Sequence, residues 1–143
     1  MKLLFVDRNL CTGCRTCEST CSFTKEKVVN RGKSRIRVDR LDVLKMEALV
    51  CLQCAQPRCK AACPTGAIYR EGEQVRVRQE LCDGCGSCMQ VCNRLFLAPD
   101  HSRVLMCDQC GACVVRCPEG ALRIATPEEI RAARKAQPVG GQA

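Results

Sequence analysis

Sixteen of the 143 residues are cysteine, and they fall into four runs of four. The runs are Cys11, Cys14, Cys17 and Cys21 in CTGCRTCESTC, and Cys51, Cys54, Cys59 and Cys63 in CLQCAQPRCKAACP. The third is Cys82, Cys85, Cys88 and Cys92 in CDGCGSCMQVC; the fourth is Cys107, Cys110, Cys113 and Cys117 in CDQCGACVVRCP. Each run closes with a three-residue gap, and no cysteine stands outside a run. Thiols so placed could be disulfide halves, zinc ligands, redox switches or iron–sulfur ligands. Disulfides require an oxidising compartment, and MKLLFVDRNLC carries neither a signal-peptide h-region nor a twin-arginine motif. Zinc sites favour two separated CxxC pairs rather than unbroken runs. Four complete sets of four match four 4Fe–4S cubanes.

The spacing has a physical reason. A loop with two residues between cysteines curls around one corner of a cluster, so three thiolates of a run reach three irons. Gly13, Gly84, Gly86 and Gly111 let the backbone approach an inorganic core and turn N–H groups towards sulfur. Beyond the third cysteine the chain is expected to enter a helix that carries the fourth thiol towards a neighbouring cluster. Pro64 and Pro118 then stop that turn.

These runs need elements to hold them, and the composition limits what those are. Aromatic content is 3%, with no Trp, so large apolar side chains supply little core. In a chain this small, metal takes that role. The length suits one domain or two small modules. No apolar stretch is long enough to span a bilayer, and the reading is of a soluble, cytoplasmic chain. The formal charge of +8 could mark a nucleic-acid binder. Four cubane–thiolate units at about −2 each would add about −8, so the basic residues are read as charge compensation, with no nucleic-acid partner.

The pattern resembles a bacterial two-cluster ferredoxin, doubled. The stretch CPTGAIYREGEQVRVRQELCDGCGSC reads as the end of one ferredoxin half and the start of the next, with strands at 67–70 and 74–78 around REGE. LLFVDRNLC before the first run and CPEGALRIA after the fourth supply an opening and a closing strand. The implied fold is α+β, two nested ferredoxin-like modules with two 4Fe–4S clusters each. Residues 51–92 form the inner module, 1–50 with 93–125 the outer split one, and 126–143 a C-terminal helix and tail. By the same resemblance, Cys51, Cys54, Cys59 and Cys92 hold one cluster and Cys82, Cys85, Cys88 and Cys63 its neighbour. In the outer module Cys11, Cys14, Cys17 and Cys117 hold a third, and Cys107, Cys110, Cys113 and Cys21 the fourth. The adjacent alternative pairs run one with two and three with four.

Residues 1 to about 125 are similar to the four-cluster electron-transfer subunits of multisubunit oxidoreductases, such as those serving dimethyl sulfoxide reductase-type enzymes. The insert NRGKSRIRVDR is similar to one in small soluble members that partner tungsten aldehyde oxidoreductases or carbon monoxide dehydrogenase. The resemblance implies a relay passing single electrons between a tungsten or molybdenum catalytic subunit and a further electron carrier or flavin subunit. It leaves open a free soluble polyferredoxin, a hydrogenase or formate dehydrogenase partner, and self-association. Two departures stand out. Only two residues separate Cys110 from Cys113, where many relatives carry an insertion, and Asn93 and Ser22 replace the usual Pro after a fourth cysteine.

No nucleophile–base pair, phosphate loop or open metal site is visible, so no catalytic residue is assigned. His101 is expected on the surface, Asp83 and Asp108 in loop hydrogen bonds, and Met89, Met106 and Phe96 as apolar cover for clusters. Arg35, Arg37 and Arg40 either dock a partner or offset cluster charge. Thr126 and Glu129, three positions apart, predict a helix start that EEIRAARKA continues.

Overall fold

Runs of cysteine that close around inorganic cores leave room only for short elements between them. The computed structural model describes residues 2–40 and 42–136. In chain order these form β1 (Leu3–Val6), α1 (Thr16–Glu26), a 3-10 turn (Arg31–Lys33), β2 (Arg37–Arg40) and β3 (Met46–Leu49). Next come α2 (Arg58–Ala62), β4 (Ile68–Glu71), β5 (Gln74–Val77) and a second 3-10 turn (Ser87–Gln90). The chain continues through β6 (Phe96–Leu97), β7 (Val104–Leu105), a third 3-10 turn (Val114–Arg116), β8 (Leu122–Ala125) and α3 (Pro127–Ala136).

The strands form four antiparallel pairs. Near the two ends of the chain, β1 meets β8 with Leu3 opposite Ala125 and Val6 opposite Leu122. The β4–β5 hairpin turns at Gly72 and Glu73, with Glu71 opposite Gln74, and its strands fall within a residue of the expected ones. The β2–β3 and β6–β7 pairs were not legible as hairpins. In β6–β7 only Phe96 and Leu97 face Leu105 and Val104, too few residues for an alternating pattern to show.

A helix after the third cysteine holds fully only in the first run. There α1 continues past Cys21 because Ser22 stands where Pro would stop it, and it ends at Lys27 in a left-handed conformation, φ 61°. Pro64 and Pro118 hold the second and fourth runs to α2 and a single 3-10 turn. The third run makes one 3-10 turn before the chain leaves through Asn93 into β6.

The main core mixes cysteine with aliphatic residues: Cys17, Cys21, Cys51, Cys59, Cys88, Cys107 and Cys113 pack with Ile36, Val38, Val50, Ile68, Leu95 and Val104. Met106 is buried there and Met89 packs against it, as expected of cover. Phe96 is different. It lies in a separate small cluster with Leu49, Ala98 and Leu105, under the guanidinium of Arg37. Helix α3 docks through Ile130 onto Phe5 and Ala125. Its start is a reciprocal box: Thr126 N–H donates to Glu129 Oε2 at 2.7 Å, and Glu129 N–H to Thr126 Oγ1 at 3.3 Å. The expected tail after α3 lies outside the described residues.

One carboxylate ties the insert to α1. Glu18 is 2% exposed. It accepts from Arg15 Nη1 at 3.1 Å, Arg31 Nε at 2.7 Å and the Val38 backbone N–H at 2.7 Å. Removing it would leave a buried N–H and two guanidinium donors unmatched. Glu18→Ala should therefore destabilise the holoprotein by about 3 kcal/mol, an apparent melting temperature lower by roughly 10 °C. Anaerobic calorimetry of both holoproteins checks this; a shift below about 2 °C would show that the carboxylate contributes little.

Candidate metal centres

Each cysteine run begins with the same backbone device. The residue before the second cysteine is left-handed in all four: Gly13 at φ 77°, Gln53 at 52°, Gly84 at 75° and Gln109 at 63°. In the second and fourth runs this aims the backbone N–H at the first cysteine's sulfur, Gln53 to Cys51 Sγ at 3.5 Å and Gln109 to Cys107 Sγ at 3.3 Å. Where the next gap is two residues, Arg15, Gly86 and Gly111 are left-handed as well. The glycines were expected for a close backbone approach to the core; two glutamines and an arginine share their left-handed conformation. At Gly84 no side chain fits, because a Cβ would strike the carbonyl oxygen of His101. His101 itself is exposed, as expected.

Further donors converge on the sulfurs. Arg35 N–H points to Cys21 Sγ at 3.2 Å, and Val104 N–H to Cys82 Sγ at 3.3 Å. Hydroxyls two residues downstream sit beside Cys14, Cys63 and Cys85, from Thr16 at 3.4 Å, Thr65 at 3.5 Å and Ser87 at 3.5 Å. The Thr16 hydroxyl lowers the Cys14 pKa below an ordinary thiol's. At Cys63 burial pushes the pKa up, but the Thr65 hydroxyl and nearby N–H groups outweigh it. Sequence reasoning missed these hydroxyls, although their fixed offset from cysteine was the available signal.

The fourth cysteine of each run leaves its own run. One cavity is lined by Cys82, Cys85 and Cys88 together with Cys63. A second is lined by Cys11, Cys14 and Cys17 together with Cys117. A third, wider one has Cys51, Cys54 and Cys59 together with Cys92. In the fourth group, Cys21 is close enough to Cys107 and Cys113 to disfavour their ionisation, and Cys110 neighbours Cys113. In every run the second cysteine is exposed, so each group has one corner at the surface.

Burial, then crowding by other thiols, pushes the pKa of Cys17, Cys107 and Cys113 up to about 12 and that of Cys51 and Cys88 to about 11. So many thiolates in so small a volume need a cationic core among them. The group must also be larger than one ion. Four thiolates on a zinc ion lie about 3.8 Å apart, from a Zn–S bond of about 2.3 Å. Among the described residues, no three His, Cys, Asp or Glu side chains converge as an ion requires. They stand around volumes, as the donor set of a cubane does.

A clamp between the second and fourth runs was not foreseen. Gln53, 5% exposed, donates from Nε2 to the carbonyl oxygens of Cys107 and Val75, each at 3.2 Å. Gln109 Nε2 donates to the Cys51 carbonyl oxygen at 3.0 Å. Each amide thus grips the first cysteine of the other run. The shared third position of CLQC and CDQC was the clue.

The remaining candidates are structural. Asp83 and Asp108 accept from the Cys85 and Cys110 N–H groups at 3.1 and 3.3 Å, the expected loop bonds, and Asp108 also pairs with Lys25. Arg35 pairs with Glu26 at 2.9 Å, Arg37 donates to the Gly32 carbonyl oxygen at 2.7 Å, and Arg40 to carbonyls of its own hairpin. All three engage the chain itself.

Comparison with known proteins agrees with this chemistry. A 4Fe–4S dicluster domain matches residues 43–93, and 4Fe–4S binding domains match 8–24 and 105–123. Together the matches take in all four runs, and the chain carries four 4Fe–4S clusters. The electron transport protein HydN of Escherichia coli is 34% identical over 99 residues, 64% of this chain and 55% of that one. The polyferredoxin-like subunit of aliphatic sulfonate oxidoreductase from Pyrococcus furiosus is 36% identical over 91 residues, 62% of this chain and 53% of that one. The chain thus spans little more than half the length of these relatives. Among solved structures, a chain of the active site complex BamBC of benzoyl coenzyme A reductase matches at a TM-score of 0.52 and 27% identity, covering 87% of this chain and 75% of that one. Every cysteine run thus falls within a 4Fe–4S ferredoxin-type domain match, and over these runs the chain is similar to multi-cluster electron-transfer proteins.

Proposed function

We propose that the chain is an electron-relay subunit whose four cubanes are held by crossed ligand sets. Cys51, Cys54, Cys59 and Cys92 hold one and Cys82, Cys85, Cys88 and Cys63 its neighbour. Cys11, Cys14, Cys17 and Cys117 hold the third, and Cys107, Cys110, Cys113 and Cys21 the fourth. The observation that carries this is the fourth cysteine of each run lying with three from another run. The sets pair off as nested modules, residues 51–92 within 1–50 and 93–125, and the β1–β8 pairing supports that split.

When bound, each cluster supplies one-electron redox chemistry. The chain's residues space, insulate and tune the four. Cys59 and Cys88 belong to neighbouring sets and lie close enough to perturb each other, as do Cys17 and Cys113. The Gln53–Gln109 clamp brings the set of Cys51 beside that of Cys107. A single line follows: the Cys82 set, the Cys51 set, the Cys107 set, then the Cys11 set. N–H groups aimed at Cys51, Cys107, Cys21 and Cys82 favour the reduced, more negative state at those sulfurs.

A line has two ends, which suits a subunit between a catalytic oxidoreductase and a second carrier. The name of the Pyrococcus relative, an oxidoreductase subunit, supports this over a freely diffusing polyferredoxin. The catalytic partner inferred from the sequence resemblance is a tungsten aldehyde oxidoreductase-type subunit, in the cytoplasm. Among the described residues no helix is long and apolar enough to cross a membrane.

Two measurements test the reading. Anaerobically purified native protein should carry about sixteen iron atoms per chain and elute with a large metal-containing subunit. Elution alone near 15.8 kDa would favour the free carrier instead. Cys63→Ser should damage the cluster of Cys82, Cys85 and Cys88, and Cys21→Ser that of Cys107, Cys110 and Cys113. Anaerobic crystallography of each variant locates the defect; damage confined to the mutated residue's own run would overturn the crossing.

A further inference from the structure

One cavity has no cysteine in its wall. It measures about 170 Å³ and lies between β1, β3 and α3. Three guanidiniums line it, Arg8, Arg94 and Arg134, with Glu47 as the one carboxylate and Val50 and Leu52 on the apolar side. Glu47 is buried and pairs with Arg8 Nε at 2.6 Å, with Arg94 Nη2 further off at 4.0 Å. One negative charge therefore serves three positive ones, leaving the wall about two charges positive. Arg94 also donates to the Val50 carbonyl oxygen at 3.2 Å, which fixes its position. Arg94 and Leu52 line the cavity of Cys51, Cys54, Cys59 and Cys92 as well, so the two spaces share a wall.

We propose that this cavity binds a small organic anion, its carboxylate or phosphate between Arg8, Arg94 and Arg134 and its hydrocarbon part against Val50 and Leu52. We further infer that occupancy controls the neighbouring cluster, an inference that rests on the ligand set proposed for Cys51. The physical logic is direct. Guanidiniums bind carboxylate and phosphate oxygens through paired N–H donors, and these three repel one another until an anion enters. A bound anion offsets the positive field that Arg94 presents to the cluster, so adding an electron there becomes less favourable. The relay would then respond to the concentration of an acid that never touches iron.

The test uses anaerobic holoprotein whose iron content has first been measured, so that a missing cluster is recognised separately. Calorimetry with inorganic phosphate and with hexyl phosphate should give saturable binding, the hexyl ester about tenfold tighter because two or more methylenes leave water. Arg134→Gln, away from every proposed ligand, should weaken both at least fivefold. Glu47→Gln should tighten both, since the competing carboxylate is gone. Potentiometric titration followed by electron paramagnetic resonance should show one cluster lowered in potential by hexyl phosphate but not by equal chloride, with the shift lost in Arg134→Gln. Acidic peptide such as tetraglutamate, binding where hexyl phosphate does not, would overturn the small-anion assignment. Unchanged binding in both variants would overturn the site, and binding without a change in any potential would overturn the coupling.

Discussion

The bond between cysteine thiolate and iron is the interaction on which this chain depends. A single cubane fixes four points of backbone at once, and four of them fix sixteen in a chain of 143 residues. Conventional sources of stability are thin here. Among the described residues, sheets have two strands each, β6 and β7 have two residues each, and the longest helix has 11 residues. Paired strands alone are marginal in water, as are helices this short. Such elements persist because the cysteine runs between them are tied to inorganic cores.

The same dependence explains the polar structure around the sulfurs. Four clusters concentrate negative charge in the interior, and the chain answers mainly with aimed N–H groups, left-handed turns and hydroxyls, with Lys25 a cation beside Cys110 and Arg94 in the wall of the Cys51 cavity. Most other arginines are engaged elsewhere. Arg15 and Arg31 neutralise Glu18, Arg35 and Arg103 meet Glu26, and Arg37 covers Phe96. The formal +8 is thus spread through an internal network. The cavity of Arg8, Arg94 and Arg134 concentrates it, and there it stands against the wall of the Cys51 cavity.

Legibility followed the chemistry. Cysteine spacing is dictated by a rigid inorganic object, so the four clusters, the β4–β5 hairpin and the strand at each end of the run pattern were readable. So was the α3 start, because a capping box uses side chains at fixed offsets. Elements set by tertiary contact were not. The β6–β7 pair is too short for a period, and the length of α1 depends on the absence of proline after Cys21 as much as on propensity. The Gln53–Gln109 clamp joins residues 56 positions apart through carbonyls, which no local pattern encodes. Phe96 was read as cluster cover from its apolarity alone, whereas packing puts it in a separate cluster beneath Arg37.

The account stands or falls on whether iron is the core. The direct measurement is hydrogen exchange on the holoprotein and on protein stripped of iron by a chelator under reducing, anaerobic conditions. Binding and folding are coupled if the clusters supply the interior. Slow-exchanging amides across residues 1–125, those of β1–β8 and α1 included, should then lose protection together once iron leaves. A stripped protein that keeps native-like protection, with a cooperative thermal transition, would contradict the account.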